Sequence, residues 1–152
     1  MTEENFWLMK SEPDAYSIDN LKNDGITLWD GIRNYQARNF MRNMNIGDKV
    51  FFYHSNCKPP GIVGLMEVIN LNIVDPTQFD KASKYFDPKS KPNNPRWDCV
   101  KVKYISKSNK MLSLPELKAL FSEDKLLVVK KGNRLSILPI RNDIAKSLLE
   151  KI

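Results

Sequence analysis

The clearest period-two signal in the chain is Val100, Val102 and Tyr104 alternating with Lys101 and Lys103, which predicts a strand with one buried and one wet face. Other segments follow different periods. Phe6-Trp7-Leu8-Met9 is a short apolar run that reads as a buried strand, ending where Lys10-Ser11-Glu12-Pro13 begins. From Asn34 onward, Ala37, Phe40, Met41 and Met44 fall at helical spacing and predict one buried stripe. Tyr35, Arg38, Asn39 and Arg42 form an adjacent amphipathic stripe that could face a ligand. Lys49 to Ser55, rich in aromatic and β-branched residues, predicts a strand, and Ile62 to Val74 a longer one. Gly64 within it marks a bend or a close approach. Ser113-Leu114-Pro115-Glu116 is a capping box opening a helix expected to bury Leu114, Leu117, Leu120 and Phe121. A strand is expected over Leu135 to Leu138. Ile140, Ile144, Leu148 and Ile152 then recur every four residues along a terminal helix.

Between these elements the turn chemistry is explicit. Ser17 caps a short helix that Gly25 stops, with Leu21 stapled against Tyr16. Asp30-Gly31 makes a turn, and Asn34 caps the helix that follows. Gly47-Asp48 followed by strand, loop and strand suggests an antiparallel pair curling into a small barrel. From Asp75 to Pro95 the chain is a long polar loop with Tyr85 and Phe86 set among lysines. Lys84, Lys89 and Lys91 there read either as solvated groups or as followers of a phosphate backbone. Lys130-Lys131-Gly132-Asn133-Arg134 is a basic turn.

The 152 residues fit a single domain, 1–152, with enough chain to bury a core without disulfides or metal. Lys and Arg number 24 against 18 Asp and Glu, so the net charge of +6 permits an anionic partner without proving one. Two cysteines are too few for a disulfide scaffold, and the amino terminus is acidic with no apolar stretch behind it. The longest apolar runs fall well short of the roughly 20 residues a membrane span needs. A monomer is expected, cytoplasmic in a bacterium or nuclear in a eukaryote.

Catalytic constellations are scarce. There is no phosphate-binding loop and no dinucleotide fingerprint. Any Ser-His or Cys-His pair must use His54, and a zinc site built on His54, Cys57 and Cys99 lacks a fourth ligand. His54 therefore reads as a hydrogen-bonding residue at a strand end, Cys57 as a small loop residue, and neither metal nor cofactor is expected. Glu12 and Asp14 flank Pro13 and read as turn residues. What remains is a set of aromatic, amide and cationic groups at strand ends: Trp7, Lys10, Ser11, Trp29, Asn34, Tyr35, Arg38, Tyr53, Ser55, Asn56, Arg96 and Trp97. Such groups stack on a nucleobase and read its edges. Trp7 reads as core; Trp29 and Trp97, each beside polar turn residues, fit either core or pocket wall.

Several segments together resemble the EVE domain family. They are Trp7-Leu8-Met9-Lys10-Ser11-Glu12-Pro13, Trp29-Asp30-Gly31-Ile32-Arg33-Asn34-Tyr35-Gln36-Ala37-Arg38-Asn39, Gly47-Asp48, Phe52-Tyr53-His54-Ser55-Asn56, Pro60-Gly61-Ile62-Val63-Gly64, Asp75-Pro76-Thr77-Gln78-Phe79-Asp80, Pro95-Arg96-Trp97 and Gly132-Asn133-Arg134-Leu135-Ser136. They occur in family order across nearly the whole chain; Ile32 stands where valine is common. The resemblance implies an α+β, PUA-like fold, a curled mixed β-barrel flanked by short helices and related to the YTH domain. It also implies binding of a modified base in DNA or RNA, modified cytosine being the usual proposal. Carried onto matching positions, the base pocket would draw on Lys10, Ser11, Trp29, Asn34, Tyr35, Arg38, Tyr53, Ser55, Asn56 and Trp97.

The leading expectation is a non-catalytic reader that receives a flipped, modified base. Arg33, Arg42, Lys58, Lys84, Arg96 and Arg134 are the expected phosphate contacts. The alternatives are a small enzyme or accessory protein acting on RNA or nucleotides, with His54 as base beside Ser55 or Cys57, and a binder of a small anionic metabolite.

Overall fold

Alternation along the first strand divides the molecule. In β1 (Phe6–Ser11), Trp7 and Met9 join one hydrophobic cluster while Phe6 and Leu8 join another on the opposite face of the sheet. The same split recurs in β3 (Lys49–His54), where Val50 and Phe52 face one way and Phe51 and Tyr53 the other. A strand buried on both faces reads as a continuous apolar run, as Phe6 to Met9 does. The computed structural model describes residues 5–152.

Six strands form one mixed sheet in the order β2-β5-β4-β3-β1-β6, with β2 (Ile26–Leu28), β4 (Gly61–Val74), β5 (Asp98–Ser113) and β6 (Ile137–Ile140) completing it. β1 and β3 are parallel; the other pairs are antiparallel. The sheet bends through register shifts in β3·β4 and at four places in β4·β5. It does not close: β2 and β6 remain its edges, so the curl is an open one. The architecture is α+β and PUA-like.

On the face bearing Trp7 and Met9 lie α1 (Ile18–Asp24) and α2 (Tyr35–Arg42), burying Ile18, Leu21, Ala37 and Met41. On the other lie α3 (Leu114–Leu120) and α4 (Asn142–Lys151), burying Leu117, Ile144 and Leu148. Each side chain of this size contributes about 1.5–3 kcal/mol when fully buried. The expected caps form: Ser17 accepts from Asn20 N–H, Asn34 from Ala37 N–H and Ser113 from Glu116 N–H. Gly64 is a close approach, since a Cβ there would stand 2.6 Å from both Ile18 Cδ1 and Ser106 O.

Leu120 departs from expectation, being 50% exposed. The helix ends at it, and Phe121, with extended backbone, turns inward against the core in its place. The polar stretch after β4 is also less loose than its composition suggests. It opens on a 3-10 turn, Pro76–Phe79, and carries a small bridge between Lys91 and Asn94.

Candidate functional site

The parallel strands β1 and β3 run out at the same end, where Ser55 N–H bonds Ser11 O at 3.0 Å. There the chain leaves the sheet twice in the same direction, and the divergence opens a cleft of about 1250 Å³. Lys10, Ser11 and Glu12 line one side, Ser55 and Asn56 the next, and the segment from Thr27 to Arg33 the third. Ala15, Tyr16, Lys84, Tyr85, Arg134 and Ser136 complete it. Trp29 is 6% exposed, one edge packed on Phe52 at 5.3 Å between ring centres in a perpendicular arrangement, yet it still lines the cleft. It is core residue and pocket wall at once.

The wall is fixed by a buried carboxylate. Asp75 accepts from Gly31 N–H at 2.8 Å, Thr77 N–H at 2.8 Å and Arg33 Nη1 at 3.0 Å. Arg33 uses all five of its N–H groups within the protein, on Asp75, Thr77 Oγ1, Ile32 O and twice on Tyr85 O. It lines the cleft but leaves no donor for a phosphate. Tyr85 lies flat against Gly31, whose φ of +81° and missing Cβ make the contact possible. Buried Gln78 holds the loop shut at its base, donating to Asp75 O and Trp97 O and accepting from Ser90 Oγ and Trp97 N–H.

The ten residues expected in the base pocket divide evenly. Lys10, Ser11, Trp29, Ser55 and Asn56 line the cleft; Asn34, Tyr35, Arg38, Tyr53 and Trp97 do not. Asn34 is occupied as a helix cap. Trp97 is 5% exposed, donates from Nε1 to Asp87 at 2.8 Å and stacks on Tyr35 at 4.8 Å, and Arg38 covers the Tyr35 ring while donating to Arg96 O. These residues make an aromatic-guanidinium column outside the cleft. Tyr53 lies in the opposite core, where burial pushes its phenol up to about 12. Of the expected phosphate contacts, Lys84 and Arg134 are exposed on the cleft and Lys58 is exposed away from it. Arg42 pairs with Asp98, and Arg96 is half-buried, also away from the cleft.

Sequence reasoning missed Tyr16, Thr27, Asp30, Tyr85 and Ser136 as cleft residues. The loop signal around Tyr85 was visible, but not its fold-back onto Gly31. Burial, and then the nearby Asp75, raises the Asp30 pKa, while burial lowers that of Lys10. His54 Nε2 accepts from Ile18 N–H at 3.1 Å, and burial lowers the imidazole pKa, so the neutral ring anchors α1. Burial raises both thiols, Cys99 to about 12, which opposes thiolate chemistry. No cluster of metal-ligating side chains occurs among the described residues, and no helix there is long and apolar enough to cross a membrane.

The chain is similar to human thymocyte nuclear protein 1, at 42% identity over 95% of this chain and 74% of that protein. A crystal structure of the human protein in complex with 5-methylcytosine-containing DNA matches with a TM-score of 0.88 and 41% identity, covering 98% of this chain and 99% of that one. A Pseudomonas syringae protein matches with a TM-score of 0.91 and 40% identity, over 97% and 99% of the two chains. A Zygosaccharomyces rouxii YTH domain, 17% identical with a TM-score of 0.55 over 99% of this chain and 87% of that one, shares the fold alone. The EVE domain family model matches residues 5–151, and the chain belongs to the EVE domain family.

Proposed function

We propose that the cleft is a reader pocket, receiving one modified nucleobase swung out of DNA or RNA and carrying out no chemistry on it. The observation that carries this is the pairing of aromatic walls with a cationic rim: Trp29, Tyr16 and Tyr85 beside exposed Lys84 and Arg134. Stacking a base on such a face contributes about 1–3 kcal/mol, and lysine or arginine holds the neighbouring phosphates. The volume exceeds that of a single base, leaving room for its sugar and flanking backbone. The human relative's complex with 5-methylcytosine-containing DNA supports modified cytosine as the base.

The test is a titration with single-stranded oligonucleotides carrying cytosine, 5-methylcytosine or 5-hydroxymethylcytosine at one position. Tighter binding of a modified form, weakened by Trp29→Ala and by Tyr85→Ala, is expected. Because Trp29 also belongs to the core, Tyr85→Ala separates lost stacking from lost fold. Equal affinity for all three, unchanged in both variants, would remove the proposal.

A further inference from the structure

Asp30 stands on the cleft wall between two fixed neighbours. Trp29 is held by its N–H bond to Val100 O and by its packing on Phe52; Gly31 is held by its N–H bond to Asp75. The Asp30 carboxyl group between them takes no hydrogen bond or ion pair from another residue among those described. Arg33, three residues on, has every N–H engaged elsewhere. The other carboxylate on the cleft, Glu12, accepts from Asn56 Nδ2. Asp30 is thus an acceptor on a fixed backbone, open to whatever enters.

A phosphate is repelled by it, and partial desolvation together with the charge on Asp75 makes the carboxyl more basic toward an arriving N–H donor. An exocyclic amine on a base is such a donor. We infer that Asp30 sets the base preference of the cleft, accepting a hydrogen bond from the 4-amino group of a cytosine-type base and rejecting a base that presents a carbonyl oxygen there. This rests on the reader function proposed above. 5-Methylcytosine and thymine share ring size and methyl group, so they stack alike; they differ at the amine or carbonyl and the adjacent ring nitrogen. Opposite a carboxylate, the carbonyl places acceptor against acceptor with no proton between them.

The experiment is a competition between two single-stranded oligonucleotides identical except for 5-methylcytosine or thymine at one position. The wild-type protein is expected to favour 5-methylcytosine by about tenfold or more, the discrimination of one well-placed edge contact. In Asp30→Asn the amide can turn either its oxygen or its nitrogen to the base, so the ratio is expected to fall to within about threefold. Asp30→Ala is expected to do the same, with circular dichroism and thermal midpoint confirming the fold. A wild-type ratio near one, or a ratio that survives in Asp30→Asn, overturns the inference. If oligonucleotides still bind and Tyr85→Ala still weakens them, the reader stands and only the role of Asp30 falls. No binding to either oligonucleotide removes both.

Discussion

Gly31 and Tyr85 meet so closely that a Cβ on the glycine would stand 2.7 Å from Tyr85 Cε2. The ring cannot withdraw freely, because Arg33 donates twice to the Tyr85 carbonyl. Gly31→Ala combines this clash with a backbone at φ +81°, and is expected to lower stability by about 1–3 kcal/mol. Denaturant midpoints check it, and a parallel loss of oligonucleotide affinity is expected because Tyr85 is displaced.

Arg33 and the rim cations should behave oppositely. Removing Arg33 leaves Asp75 buried without its cation, so Arg33→Ala is expected to destabilise by about 3 kcal/mol or more. Lys84→Ala and Arg134→Ala, at exposed positions, should leave stability within about 0.5 kcal/mol. Each should instead reduce the salt dependence of oligonucleotide binding, by about one unit in the slope of log affinity against log salt. Comparing thermal midpoints with salt titrations of the three variants distinguishes scaffold from contact.

His54 supplies a pH prediction. Its folded pKa lies below its unfolded value, because burial disfavours the charged ring and Nε2 must stay unprotonated to accept from Ile18 N–H. The stability it contributes is therefore complete above the unfolded pKa of about 6.5, and is lost as pH falls from there through the lowered folded value. Unfolding midpoints at pH 7.5 and 5.5 should differ more in the wild type than in His54→Gln, whose amide keeps an acceptor without titrating in that window.

Trp97→Phe should separate the outer column from the cleft. It keeps a ring against Tyr35 but removes the Nε1–Asp87 hydrogen bond, for an expected loss of about 0.5–1.5 kcal/mol. The preference among cytosine, 5-methylcytosine and 5-hydroxymethylcytosine should be unchanged. A shifted preference would show that the column reaches the ligand.

Local chemistry made much of the fold readable. Period, caps and turn residues speak of neighbours a few positions apart, and they located β1 and α2 closely. Only the start of β5 was legible, and Ile140, expected on the terminal helix, ends β6, which runs Ile137–Ile140 rather than Leu135 to Leu138. Five of the ten residues expected in the pocket line the cleft, four of them at strand ends: Lys10 and Ser11 close β1, and Ser55 and Asn56 follow β3. Trp97 and Tyr35 stack on each other outside the cleft, and no short window foretells it, because an aromatic beside polar residues looks the same whether it stacks on a ligand or on another side chain. Arg33 is spent on partners 42 to 52 residues away, at Asp75, Thr77 and Tyr85, which its neighbours in sequence do not reveal. Asp30 and Tyr85 depended on a loop folding back across the chain, and no short window records that.

The two hydrophobic clusters share the strands that separate them. Adjacent residues such as Phe51 and Phe52 belong to different interiors, so drawing β3 out of the sheet strips both at once. Loss of the sheet therefore removes support from both sides of the molecule together. Cooperative unfolding is in this way built into alternate side chains of a single strand.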